Sequence, residues 1–304
     1  MCDACPSSLL DRLFAKGVLH ATGVDGLYAR SGYFENVISG LDRLISRFGA
    51  DHRAEAISFP PGMSRTLFEK SGYMNSFPQL SGTVHSFAGN ERDHLALLDK
   101  IHNGETWTDR QAATDVVLTP AACYPLYPIV AKRGQVQTEG LHFDVQSYCF
   151  RHEPSKEAAR MQMFRMREFV RVGTRDQVVA FREQWLEKAR DFARELGLPH
   201  EVDVANDPFF GRGGRVMASS QRELGLKFEL LVPIESVDEP TACMSFNYHQ
   251  DHFASLWGIE LASGEPAQTA CVGFGMERLA LAVFKHHGLD IGDWPPSVRA
   301  ALAL

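Results

Sequence analysis

Long apolar runs are missing from this chain. No segment of about 18 uninterrupted apolar residues occurs, so no membrane span is expected. The opening residues, MCDACPSSLL, lack a basic stretch followed by a long apolar run, so they do not read as a signal peptide. Blocks of five or six like charges are absent too. The formal net charge is −7 and the isoelectric point 5.9, which argues against a nucleic-acid surface as the main business of the chain, because duplex or tRNA binding usually needs a basic patch. Cysteine is sparse and scattered, at positions 2, 5, 123, 149, 243 and 271. Without an export signal this favours reduced thiols in the cytoplasm over a disulfide frame. Cys2-x-x-Cys5 has no matching pair downstream and reads as incidental. Repeats and low-complexity linkers are likewise absent. What remains is an ordinary globular composition, 304 residues with 44% hydrophobic and 23% charged. That is long enough for one large domain with a small appendage.

Periodicity predicts a short amphipathic helix from Ser8 to Val18 and a buried one from Tyr33 to Phe48, stopped by Gly49. A strand over Ala54–Phe59 runs into Pro60-Pro61-Gly62. Residues 62–82 read as helix then loop, Asp93–His102 as a short helix, and Val116–Pro120 as a strand. The clearest helix spans about Asp176 to Leu196, with Phe181, Trp185, Ala189 and Phe192 in its apolar stripe. Strands follow at Glu201–Val204, Phe228–Val232, Ala242–Tyr248 and Ala270–Phe274, then a helix at Met276–His286 and a short tail. Consecutive strands without intervening helices favour a largely antiparallel sheet in an α+β fold. The expected division is a short helical appendage at 1–50 and a catalytic domain at 51–304.

Two stretches carry chemistry. In FRHEPSKEAARMQMFRMREF, Leu141–Glu153 and Met161–Val172 read as arms of a hairpin joined by a polar loop. Equal parity puts Cys149, Arg151 and Glu153 on one face, and Arg160, Gln162, Phe164, Met166 and Glu168 on one face. A guanidinium for phosphate, a ring for a base and a carboxylate for an exocyclic amine suit a nucleotide. A salt-bridged surface hairpin would show the same inventory. In GFGMER, a strand passes through Gly273 and Gly275 into a helix with Arg278 in its first turn. Glycines let a backbone approach a ligand, and a helix start with a guanidinium makes a phosphate site.

FRHE, a polar loop and Arg160-x-x-x-Phe164 resemble the second signature motif of class II aminoacyl-tRNA synthetases, and GFGMER resembles the third. The stretches Lys227-Phe-Glu-Leu and Glu239-Pro-Thr-Ala-Cys-Met-Ser-Phe-Asn resemble the ATP-side strands of seryl-tRNA synthetase. The strand ending at Pro60-Pro61 is the candidate for the first motif, and with it a homodimer. The resemblance implies a class II antiparallel sheet flanked by helices. Arg151 would bridge the carboxylate and α-phosphate, and Arg278 would hold the γ-phosphate of a bent ATP. Phe164 would stack under adenine, with Glu153 and the backbone near Arg160 and Met161 fixing its edge. Lys227, Glu239 and Ala242, Cys243, Met244 and Ser245 would line the ATP side, Glu239 being a candidate magnesium ligand.

Cys123, Glu168 and Cys271 adjoin elements of that same cleft. Two thiolates, a carboxylate and an open fourth position suit a catalytic zinc, although scattered Cys and Glu are usually core or surface residues. The chain resembles the zinc-dependent seryl-tRNA synthetases of methanogens and the amino acid:[carrier protein] ligases related to them, and the resemblance implies zinc on these three residues, holding the substrate α-amine. Only about 50 residues precede the first core strand, with no basic stripe. That points to the carrier-protein ligases, which charge a phosphopantetheine thiol, with no tRNA expected. The implied amino acid is small, glycine or alanine. A seryl-type tRNA synthetase and a non-catalytic amino-acid or nucleotide sensor are the alternatives. His152 alternates away from Arg151 and reads as structural or exposed; His249-x-x-His252 is not read as a metal pair.

Overall fold

A computed structural model describes residues 8–304; Cys2 and Cys5 lie outside the described residues. The chain opens with helix α1 (Leu9–Ala15), a hairpin of β1 (Leu19–Val24) and β2 (Leu27–Arg30), and helix α2 (Gly32–Gly49). Strand β3 (Glu55–Ser58) follows. A small sheet of β4 (Gly62–Ser64), β5 (Thr83–Phe87) and β6 (Gln111–Leu118) encloses helices α3 (Arg65–Lys70), α4 (Tyr73–Ser76) and α5 (Glu91–His102). Helix α6 (Tyr127–Ala131) leads to β7 (Leu141–Phe150) and β8 (Met163–Gly173), the two arms of the expected hairpin. Next come α7 (Arg175–Glu195), β9 (Glu201–Val204), α8 (Gly211–Glu223), β10 (Lys227–Val232), β11 (Thr241–Gln250), α9 (His252–Trp257), β12 (Gln268–Gly275), α10 (Met276–His287) and α11 (Pro296–Leu302).

The large sheet has seven strands in the order β3-β7-β8-β12-β11-β10-β9. Among the described residues β3 is its one parallel member, paired with β7; every other neighbour is antiparallel. The α+β class II-type sheet expected from the sequence is therefore present. Strand alternation gives it two unlike faces. One carries Phe169, Val272, Phe274, Phe246 and Leu230, buried beneath α7, α10 and α2 in the main core. Trp185 of α7 sits 4.8 Å from Phe169 and 5.6 Å from Phe274, ring centre to ring centre. Thr174 and Gln177 form a capping box that starts α7. The other face holds the polar residues described below.

The first 50 residues take a different form from the expected helical appendage. They contain the β1–β2 hairpin, and Leu9, Leu13, Leu19, Phe34 and Leu41 belong to the same core as α7 and α10. Gly49 lets α2 pass so close to β8 that an added methyl would lie 2.1 Å from the Phe169 ring. The odd-numbered residues of β8 reach back to α2. Arg165 bonds both Glu35 (Nη1 to Oε2, 2.5 Å) and the buried Glu277 (Nε to Oε1, 2.8 Å), and Arg167 bonds Asp42 and Asp144. These pairs hold the Arg165 guanidinium above its ordinary pKa against the cost of burial. Gly26, left-handed at φ 80, closes the hairpin turn, and the carbonyls of Asp25 and Gly26 accept from Gln162 just before β8. The C-terminal stretch expected as a tail is the helix α11, whose Val298 and Leu302 are buried.

His142 on β7 lies across from Arg171 on β8 and stacks on His52, 5.3 Å between ring centres. Burial, then the charges of Arg171 and His52, lower its pKa from 6.5 to about 4. Protons therefore bind the unfolded chain in preference between these values, so His142 withdraws stability as pH falls from 6.5 to 4. The denaturant midpoint should drop over that range, and His142→Gln should flatten the drop; the same fall in midpoint for wild type and variant in urea titrations at pH 7, 5.5 and 4.5 would contradict this.

Candidate active site

The polar face is assembled from alternate residues of adjacent strands. Register places Cys149 opposite Phe164, Val145 opposite Glu168, Glu168 opposite Gly273, Gly273 opposite Ser245, Asn247 opposite Cys271 and Lys227 opposite Asn247. One row across five strands thus joins the two motifs. Gly273 keeps the middle of the row low: an added Cβ would lie 3.1 Å from Ser245 Oγ and 3.7 Å from the Glu168 side chain.

Cys123, Glu168 and Cys271 meet at one end. A ligand atom from each lies within 4.8 Å of the other two, and all three residues are buried. Cys123 comes from the turn after β6, and its backbone N–H donates to Glu168 Oε2 at 2.6 Å. Burial raises the Glu168 carboxyl above its ordinary range. A hydrogen bond to Cys271, then burial, then the Glu168 charge push the Cys123 thiol well up. The Cys271 thiol is pulled down by that hydrogen bond, but burial and the Glu168 charge outweigh it and its pKa is raised. Three converging buried acids that resist ionising fit a divalent cation, since a cation favours their charged forms. Two sulfurs and an oxygen are the donors zinc takes, with a fourth position left for a ligand.

At the other end Arg151 follows directly on β7. Its guanidinium carbon lies 5.5 Å from the Phe164 ring centre, and its Nε is buried without a protein partner among the described residues. That donor is free to bond an oxygen of a ligand or of water. Arg278 enters from the first turn of α10; its Nε donates to Ala159 O at 3.0 Å and its Nη1 to Ala242 O at 2.9 Å. Burial first, then the positive charge of Arg151, depress its pKa below the ordinary arginine value. The two guanidiniums are thus close enough to repel one another, and an anion bound between them would relieve that repulsion.

The remaining expected residues divide. Glu153 lies 3.6 Å from Arg160, which also pairs with Glu157 at 3.2 Å. Lys227 is near the row but committed to Asp207 at 2.6 Å and Glu229 at 2.9 Å. Met161, Cys243 and Met244 bury their side chains in the main core. Only their backbone, with that of Ala242, is left for a nucleotide. Burial pushes the Cys243 thiol up to about 12. Glu239 is exposed in the loop before β11 and makes no side-chain bond to the cleft; Glu235 is the carboxylate of that loop that reaches inward, accepting from the Ala158 N–H at 2.9 Å. His152 is exposed, as expected. Sequence reasoning missed Asp207, Asn247 and His249. Asp207 sits in a loop with no motif, whereas the parity of Asn247 with Ser245 was a usable signal.

A class II aminoacyl-tRNA synthetase-type catalytic domain is what this sheet and these two arginine-bearing motifs define. The fold matches that of a Methanopyrus kandleri seryl-tRNA synthetase solved in complex with Aquifex aeolicus tRNASec, with a TM-score of 0.82 over 99% of this chain and 61% of that one at 19% identity. It also matches a Pyrococcus horikoshii seryl-tRNA synthetase complexed with ATP, with a TM-score of 0.69 over 99% of this chain and 64% of that one at 14% identity. No family model matches the chain. Amino acid--[acyl-carrier-protein] ligase 2 of Bradyrhizobium diazoefficiens is 51% identical over 299 residues, 98% of this chain and 89% of the relative, and ligase 1 of the same organism is 51% identical over 97% of the chain and 89% of its own length. The type-2 serine--tRNA ligase of M. kandleri is 29% identical over 60% of the chain and 37% of its length. The chain belongs to the amino acid–[acyl-carrier-protein] ligases, and it is an enzyme.

Proposed function

We propose that this ligase activates glycine or alanine with ATP as the aminoacyl-adenylate and passes the acyl group to the phosphopantetheine thiol of a carrier protein. The observation that carries this reading lies on β8. Phe164 and Glu168 share its polar face four residues apart, about 13 Å along a strand. That length suits an aminoacyl-adenylate lying with its base at one end and its amine at the other.

The amino-acid carboxylate is already ionised, so its attack on the α-phosphorus needs alignment and charge neutralisation in place of a general base. Arg151, held over Phe164 with an unpaired Nε, bridges that carboxylate and the α-phosphate. As the new P–O bond forms, the bond to the bridging oxygen breaks and pyrophosphate leaves with Mg²⁺. Arg278 holds the far end of the triphosphate. Cys123, Glu168 and Cys271 would hold a zinc ion, which would supply a Lewis acid for the unprotonated α-amine and so a means of turning away acids without one. In the second half-reaction the carrier's thiol sulfur bonds the carbonyl carbon and AMP departs.

Homodimerisation is part of the proposal. Strand β3 lies at the edge of the sheet, and a cavity of about 500 Å³ opens between α2, β3, β7 and β8. A second copy laid over this side would cover both; a monomer by sedimentation would contradict it.

One pair of assays tests the function: amino-acid-dependent ATP–pyrophosphate exchange, then transfer to holo-carrier protein and to tRNA. Exchange with thioester formation and no tRNA charging is the expected result. Charging of tRNA would favour the reading taken from the seryl-tRNA synthetase fold, and the absence of exchange with every amino acid would favour a non-catalytic amino-acid or nucleotide sensor.

A further inference from the structure

Strand β11 is irregular where it passes the triad. Its register with β12 slips between Tyr248 and Gln250, and Gln250 adopts φ 56. His249 is the extra residue of this bulge, a device that re-aims a side chain. Its ring is turned onto Cys271, with Nε2 3.5 Å from Sγ. The opposite nitrogen, Nδ1, lies 3.0 Å from Thr269 Oγ1 and 3.5 Å from the Tyr127 hydroxyl.

Thr269 decides the tautomer. It is fully buried, and among the described residues its hydroxyl has no other partner. A buried hydroxyl gives its proton to the acceptor it has, so Nδ1 accepts and the ring proton sits on Nε2, pointing at sulfur. Asn247, directly across from Cys271, brings a second donor: its Nδ2 lies 3.4 Å from Cys271 Sγ and 3.3 Å from Ser245 Oγ.

We propose that His249 and Asn247 are positioning residues that donate two N–H···S hydrogen bonds to the Cys271 thiolate. Two thiolates and a carboxylate bring three negative charges to a dication; donors to one sulfur offset the excess and fix the direction of its lone pairs. His249 cannot itself be a ligand through Nε2, because that nitrogen carries the proton. The inference rests on the reading of Cys123, Glu168 and Cys271 as a metal site.

The test uses cobalt(II) in place of zinc in the full-length protein and reads the thiolate-to-cobalt charge-transfer band. Removing a donor to sulfur raises its lone-pair energy. His249→Phe should therefore move the band to longer wavelength and weaken zinc, measured by chelator competition, by about 10- to 100-fold. His249→Gln, whose amide can donate in the same place, should bring the band back, and Thr269→Val, which frees the tautomer, should move it as Phe does. These two variants keep the test decisive if the Phe variant fails to fold. An unchanged band and affinity in folded His249→Phe would overturn the positioning role while leaving the metal site standing. A wild-type protein showing no thiolate band would overturn both.

Discussion

Cys271→Ala is expected to abolish amino-acid-dependent pyrophosphate exchange, by at least about 10³-fold, and to leave the protein without zinc by elemental analysis. Alanine removes one of three donors that converge within 4.8 Å. Burial still pushes the two left, Cys123 and Glu168, toward their neutral forms, so they hold a cation poorly on their own. The fold should survive, because trimming a small buried side chain costs on the order of 1 kcal/mol, and a near-normal melting temperature would separate lost chemistry from lost structure. Cys149→Ala is the control. That thiol is buried on the same face, opposite Phe164 and outside the triad, and its loss should leave metal content unchanged. An active, metal-free Cys271→Ala protein would remove the proposed role of the cluster.

Arg151→Ala should lower exchange by about 10²- to 10³-fold, the scale for removing one preorganised donor from a developing charge. Zinc content should not move. The structural cost should be small, since Nε has no protein acceptor to lose and the contact with Phe164 is one face of a ring. Arg151→Lys should recover only part of the rate: an ammonium restores charge but cannot span two oxygens as a planar fork does. Wild-type exchange in Arg151→Ala would show that the two arginines do not grip one ligand.

How much of this was legible in the sequence follows from the range of the interactions involved. Local periodicity carried α2 and α7 to within one residue at their ends, and parity alone placed Phe164 and Glu168 together. It failed where local signals were weak or misleading. Strand β1 reads LHATGV and is exposed along most of its length, so no apolar alternation marked it. Helix α8 begins with Gly211, Gly213 and Gly214, which read as loop. The parallel partnership of β3 with β7 bridges more than eighty residues and has no local signature. Met244 has the parity of Phe246 and faces the core, and Cys243 joins it as the residue left over where the register with β10 shifts between Leu230 and Leu231. His249 reaches Cys271 through a bulge, which parity counting cannot foresee.

Strand β8 divides its labour by odd and even numbers. Phe164 and Glu168, on its even side, are the proposed contacts with substrate and metal, while Arg165 and Arg167 are moored to a helix near the start of the chain. A fragment begun at the first strand of the large sheet would keep every proposed ligand and still strip Glu35 from Arg165 and Asp42 from Arg167, leaving each half-buried or buried guanidinium with one carboxylate fewer. The smallest working unit of this ligase therefore starts well upstream of its chemistry, and residues 8–50 act as the frame in which β8 is strung.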